Sequence, residues 1–265
     1  MSESVYDQIS INGKYLGIDI VAQEIAQFAH EKEYDESTIS AINDVFQYLR
    51  DRREESVVNS LLGMSRLPLK EPKTFEGFDY SRLRSKNIEA LKNLSTLAPL
   101  YARRNLAFIG PQGVGKTHLA MAFGRACCLR GMKAYYLKAT ELRQKLSDAL
   151  KYGREGSTVN GLVRPSCLII DEIGRCKLDK ECTRLFFDMV DKRCEKEGPN
   201  TMIFTSNKTA DKWSEYFSEN DSLLCSLDRI FDNASVFMFK GDSYRGKGLE
   251  TVLVEAGVTN VVIKK

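Results

Sequence analysis

No apolar run in the 265 residues approaches the roughly 18–20 that a helix needs to cross a bilayer, so a soluble, cytoplasmic protein without a membrane partner is expected. The opening residues, Met1-Ser2-Glu3-Ser4, lack the basic and then apolar segments of an export signal. Seven cysteines are present (Cys127, Cys128, Cys167, Cys176, Cys182, Cys194 and Cys225), and none stands in C-x-x-C spacing. A zinc or thioredoxin-like site is therefore not indicated, and reduced thiols are the economical reading. Cys127, Cys128 and Cys167 lie in apolar stretches, as small buried hydrophobes do. His30 has no second ligand nearby and reads as a solvated or packing residue. There is no internal repeat, no low-complexity segment, and no helix-turn-helix, zinc-finger or aromatic-rich sheet motif.

What is present suits one substantial α/β core and a smaller piece: the chain is 43% hydrophobic. The net charge of +3 is unevenly divided. Residues 1–72 hold 7 Lys/Arg against 13 Asp/Glu, a net of −6, and residues 73–265 hold 32 against 23, a net of +9. An acidic leader on a basic body hints that the body meets a polyanion.

The N-terminal third carries two amphipathic helical patterns. Ile18, Val21, Ala22, Ile25, Phe28 and Ala29 form the first; Ile39, Ile42, Val45, Phe46 and Leu49 open the second, which continues towards Val57, Leu61 and Leu62, with Ser37 or Thr38 as N-cap. Residues 1–67 are expected to be a small all-α domain that docks on a partner or mediates self-association. Pro68 and Pro72 punctuate a linker over 68–72, and the main domain spans 73–265. There, Leu106–Ile109, Ala134–Leu137, Cys167–Ile170, Met202–Thr205 and Val236–Phe239 read as short strands. They alternate with helical patterns over 118–129, Glu141–Tyr152 and Glu181–Glu195. Such alternation predicts a parallel sheet sandwiched by helices, with ligand at the carboxyl ends of its strands.

After the first of these strands stands Gly110-Pro111-Gln112-Gly113-Val114-Gly115-Lys116-Thr117, a G-x-x-x-x-G-K-[ST] string leading into a helix from His118. Glycines let successive N–H groups turn inward on phosphates, and the helix adds its positive end. Lys116 is suited to the β/γ-phosphates of a nucleoside triphosphate and the Thr117 hydroxyl to Mg²⁺. A dinucleotide site fits less well, because G-x-G-x-x-G is not matched. Leu168-Ile169-Ile170-Asp171-Glu172 is a buried strand ending in two carboxylates. Asp171 can hold Mg²⁺ or its water, and Glu172 can polarise the water that attacks the γ-phosphorus. GTPases usually use Gln there, which favours ATP. Asn207, after the strand Met202–Thr205, can fix the attacking water or report the γ-phosphate, or it is an ordinary turn-forming Asn. Arg229 has the position of a finger reaching a neighbouring subunit's phosphate, and Arg245 follows the last strand; each is alternatively a solvated surface arginine.

Together these segments resemble the AAA+ class, and more closely the IstB family of transposition-helper ATPases with its relative, the DnaC helicase loader. The resemblance rests on Gly-Pro-Gln-Gly-Val-Gly-Lys-Thr-His-Leu-Ala (110–120), Leu-Ile-Ile-Asp-Glu-Ile-Gly (168–174), Leu-Phe-Phe (185–187), Thr-Ser-Asn-Lys (205–208), Leu-Asp-Arg (227–229) and Gly-Asp-Ser-Tyr-Arg (241–245). It implies a P-loop AAA+ ATPase core without a full C-terminal lid, using ATP and Mg²⁺. Lys116 and Thr117 would be Walker A residues, Asp171 and Glu172 Walker B, and Asn207 sensor 1. Arg229 would be an arginine finger and Arg245 a sensor 2-like arginine. The stretch 74–79, with Phe78, resembles the segment that shelters adenine. Family members assemble on DNA with ATP at subunit interfaces. The turn Arg175-Cys176-Lys177 is more basic than expected for the family.

For duplex DNA the candidate surface is the helical stretch 141–154. Arg143, Ser147, Lys151 and Arg154 share a face, with Lys145 nearby, opposite Leu142, Leu146, Ala149 and Leu150. Arg175, Lys177 and Lys180 form a second patch; both are alternatively plain solvated faces. Contacts of this kind go to phosphates and predict salt-sensitive, largely sequence-independent binding. The sequence thus reads as a self-associating, DNA-binding ATPase that assists an insertion-sequence transposase. A helicase loader is the alternative, and no acceptor-pocket motif speaks for a metabolic P-loop kinase.

Overall fold

The computed structural model describes residues 4–83, 88–218, 227 and 229–240. Arg245 and Cys225 lie outside the described residues.

Three helices open the chain: α1 (Val5–Leu16), α2 (Ala22–Glu31) and α3 (Glu36–Met64). The expected two helical patterns are therefore three helices, and α1 was not anticipated. Its inward face carries Ile9 but also Asn12 and Gly13, both buried, so it lacks an apolar period. Asn12 instead trades amide hydrogen bonds with α3, accepting from Arg50 Nη1 at 3.1 Å and donating to Gln47 at 3.3 Å. A β-carbon on Gly13 would meet Phe46 and Ile20 at 3.5 and 3.3 Å, so the missing side chain permits the close approach. The expected cap is also corrected: α3 is capped by Asp35, whose carboxylate accepts from Thr38 N at 2.8 Å and binds both candidate hydroxyls, Ser37 and Thr38. A carboxylate two or three positions earlier outcompetes either hydroxyl for the open N–H groups of the first turn.

Ile9, Ile25, Ala29 and Ile39 form a small core of their own. The C-terminal end of α3 belongs elsewhere: Leu62 and Leu67 are buried in the main core. Ser65 O accepts from Tyr136 N at 2.9 Å, and Arg66 Nη2 meets Glu141 Oε1 at 2.7 Å. Residues 69–72 beyond are exposed.

The short helices α4 (Ile88–Lys92) and α5 (Ala98–Tyr101) lead into the sheet. Strands β1 (Asn105–Ile109), β2 (Ala134–Lys138), β3 (Cys167–Asp171), β4 (Thr201–Ser206) and β5 (Ala234–Met238) lie in the order β2-β3-β4-β1-β5, every pair parallel. The crossover helices are α6 (Lys116–Leu129), α7 (Ala139–Lys151), α8 (Glu155–Val163) and α9 (Lys180–Glu195). Along β1, β3 and β4 alternate residues enter opposite layers. Leu106, Phe108 and Ile169 pack with α6, whereas Ala107, Ile109, Leu168 and Ile170 pack with α7, α8 and α9. Burial on both faces explains why these strands read as unbroken apolar runs.

Arg193 on α9 is fully buried and ties down the amino ends of β3 and β4. Its guanidinium donates to Leu162 O, Pro165 O, Thr201 O and Asn200 Oδ1 at 2.6–3.0 Å. The carboxyl ends of β1, β3 and β4 lie side by side at the opposite rim.

Candidate functional site

The loop after β1 turns back on itself through glycines. Gly115, at φ +94°, begins α6, and a β-carbon there would overlap the Phe78 ring. Gly110, at φ +151°, lies so close to the Phe239 carbonyl that it too admits no side chain. Lys116 then heads the helix, buried, with Nζ donating to Gly110 O at 2.8 Å, Pro111 O at 2.5 Å and Asn207 Oδ1 at 2.8 Å. Asn207 reaches it because β4 is inserted between β1 and β3, with Ile109 paired to Ser206. The ammonium is thus aimed over the loop's carbonyls, at the positive end of α6.

Asp171, at the tip of β3, is 3% exposed and surrounded by hydroxyls. Its Oδ1 accepts from Thr117 Oγ1 at 2.8 Å and Thr205 Oγ1 at 2.5 Å, and its Oδ2 accepts from the Tyr136 hydroxyl at 2.8 Å. Burial, and then the Asp171 charge, push the Tyr136 phenol well above its ordinary range, so it stays a donor. Glu172 follows in the left-handed region, φ +57°. Thr205 fixes this turn twice: its Oγ1 accepts from Glu172 N at 2.9 Å and its carbonyl accepts from Ile173 N at 2.8 Å. The Glu172 side chain emerges towards solvent and pairs with Arg175.

Beside the loop lies a cleft of about 530 Å³, within the range of small-molecule sites. Lys73, Gly77, Phe78 and Asp79 form one wall; Gly113, Gly115, Lys116, Thr117, His118 and Met121 form the other. The His118 ring binds Thr74 O through Nε2 at 2.8 Å and packs edge-on to Phe78 at 5.4 Å, strapping residues 74–78 across the first turn of α6. Among the described residues no group of three or more His, Cys, Asp or Glu gathers as a metal cluster. Thr117 and Asp171 instead offer the hard oxygen pair that suits Mg²⁺, an ion that takes one or two protein oxygens and completes its shell with phosphate and water.

The structure thus brings Lys116, Thr117, Asp171, Glu172 and Asn207 to one rim. It does not bring Arg229 there. Asn105 Nδ2 donates to Ile230 O at 2.9 Å, which places Arg229 beside the start of β1, about 13 Å of strand from the loop. Arg229 is exposed and pairs with Asp191 on α9. Arg143, Lys145, Lys151, Arg154, Arg175 and Lys177 are all exposed. The two basic patches are neighbours, since Leu142 on α7 lines one small pocket together with Gly174 and Cys176 of the turn after β3. Sequence reasoning missed Tyr136 and Thr205 as members of the site. Thr205 stood within a motif already singled out, but Tyr136 is visible only once β2 is in register with β3.

The family profile described as IstB-like ATP binding protein matches residues 13–251. The chain is 32% identical over 245 residues, 91% of its length and 95% of the relative's, to a protein of Bacillus thuringiensis subsp. berliner named as an ATP-binding protein of insertion sequence IS232. It is 34% identical over 188 residues, 71% of its length and 73% of the relative's, to the corresponding IS5376 protein of Geobacillus stearothermophilus. Among solved structures, AMPPCP-bound DnaA from Aquifex aeolicus superposes with a TM-score of 0.54 at 20% identity, over 67% of this chain and 52% of that one. The DnaC helicase loader gives 0.52 at 16% identity, over 63% and 97%. These two likenesses show the AAA+ fold.

Proposed function

We propose that this chain, which belongs to the family of IstB-like ATP binding proteins, hydrolyses ATP between neighbouring copies assembled on DNA and in doing so assists the transposase of its own insertion element. One observation carries the reading: Lys116, Thr117, Asp171, Glu172 and Asn207 converge at adjacent strand ends, beside a cleft of nucleotide size. In this reading the N–H groups of residues 112–117 and the Lys116 ammonium hold the phosphates, and the Phe78–His118 wall takes the base. Glu172 accepts a proton from the attacking water, with Asn207 holding that water in line. Thr117 and Asp171 would hold Mg²⁺, which when bound neutralises phosphate charge.

Replacing Lys116 tests the binding half. Lys116→Ala should weaken equilibrium binding of labelled ATP by about 100-fold, the worth of a charge-assisted contact to phosphate. Retention at the wild-type level would remove the phosphate site.

For DNA, the joined surface of Arg143, Lys151, Arg154, Arg175 and Lys177 supplies the positive charge, and its affinity should fall steeply with salt. Arg175 gives that surface a route to the chemistry, because it already pairs with Glu172. A DNA phosphate that draws Arg175 away frees the carboxylate. The pair is largely exposed and worth at most ~1 kcal/mol. Arg175→Ala should therefore raise DNA-free turnover about two- to five-fold and blunt its stimulation by duplex. Unchanged basal turnover with full stimulation would disconnect the two.

Residues 1–67 are the partner-docking unit in this scheme. Ile11, Phe28, Val45 and Tyr48 stand exposed on it, as a surface that meets another protein would have them. Full-length protein that retrieves a replicative helicase and ignores the transposase would favour helicase loading instead.

A further inference from the structure

Asp171 has an unusual setting for a charged group. It is buried at the end of the central β3, and each strand beside it contributes a hydroxyl, Tyr136 from β2 and Thr205 from β4. Tyr136 is paired with Ile169, two residues before Asp171 on the same face of the sheet. Two residues of strand span about 6.6 Å, close to the reach of a phenol, so the ring lies along β3 and ends on the carboxylate. Hydroxyl donors fix an ionised carboxylate in place without neutralising it, and leave its charge to act on a cation. Thr205 does a second task that Tyr136 does not. The same oxygen accepts the N–H of Glu172, a non-glycine residue held at φ +57°. Such a backbone persists only where its surroundings determine it.

We propose that Tyr136 and Thr205 are positioning residues: the two hydroxyls aim Asp171 at a divalent cation, and Thr205 alone also holds the turn that aims Glu172. The proposal rests on the ATP site described above and assigns its support. Neither residue touches the nucleotide; both act through the carboxylates.

The test separates cation from nucleotide. Mn²⁺, followed by its paramagnetic resonance signal, is titrated into the full chain carrying a non-hydrolysable ATP analogue. Tyr136→Phe and Thr205→Val should each weaken Mn²⁺ about tenfold, the usual effect of removing a support for a metal ligand. Analogue binding in EDTA should stay at the wild-type level, and Thr205→Ser, which keeps the hydroxyl, should behave as wild type throughout. Turnover should then split the pair. At saturating Mg²⁺, Tyr136→Phe regains wild-type kcat, whereas Thr205→Val remains about tenfold down because Glu172 has lost its anchor. Unchanged Mn²⁺ affinity in both variants would overturn the proposal, as would an equal loss of analogue binding in EDTA. Wild-type protein that binds the Mn²⁺–analogue pair tightly yet releases no phosphate from ATP itself would overturn hydrolysis and leave the positioning roles standing.

Discussion

Glu172→Gln lowers ATP turnover by about 10²–10⁴-fold while the nucleotide stays bound, the range expected for removing a general base. Gln keeps the length of the side chain and can still accept from Arg175, and its backbone can still rest against Thr205. What it cannot do is take a proton. In the proposed site, phosphate contacts come from the loop after β1 and from Lys116 at the head of α6, so affinity should move little. Single-turnover phosphate release and equilibrium retention of labelled ATP measure the two halves separately. If hydrolysis releases the assembly from DNA, the variant should also accumulate long-lived assemblies on duplex DNA. Turnover within threefold of wild type would deny Glu172 the role of base.

The parts of this site that were legible in the sequence are those written in consecutive residues. Residues 110–117 run consecutively from the loop after β1 into the head of α6, and Asp171 and Glu172 share one strand tip. The strands bearing them are buried on both faces, so they appear as apolar runs too short for helices. The parts that were not legible depend on pairing between distant segments. Tyr136 looks like any aromatic in a strand until its register with β3 is known. Arg143 and Arg175, read as separate patches, become neighbours only when α7 packs beside the turn after β3. The first N-terminal helix hid for a related reason. α1 turns Asn12 and Gly13 inward, where a polar network and close backbone approach replace the apolar period that marks a helix. α8 was missed as well: its sequence holds Gly156, Gly161, Ser157, Thr158 and Asn160, poor helix formers. Buried Val159 and Leu162, with Arg193 bonded to the Leu162 carbonyl, supply by tertiary packing what propensity does not.

Arg229→Ala depresses turnover by about 10³-fold and spares ATP binding, as expected for a finger supplied by a neighbouring subunit. The geometry excludes action within one chain. Arg229 lies beside the amino end of β1, while the loop that would hold phosphate follows its carboxyl end. If it acts on phosphate at all, a long, exposed side chain in that position serves a second copy. Its pairing with Asp191 does not oppose this. An exposed ion pair is worth ~0–1 kcal/mol, far less than a guanidinium gains on the developing charge of a transferring phosphoryl group. Mixing decides whether the loss is catalytic or structural. Lys116→Ala protein has an intact Arg229 but a damaged phosphate site; Arg229→Ala protein has the reverse. Neither alone should hydrolyse ATP, yet mixed on duplex DNA they should recover a substantial part of wild-type turnover, since one chain's arginine completes the other's site. Inactive mixtures of two folded, DNA-bound variants would remove Arg229 from the interface, and normal turnover by dilute, monomeric Arg229→Ala protein would remove the need for a neighbour altogether.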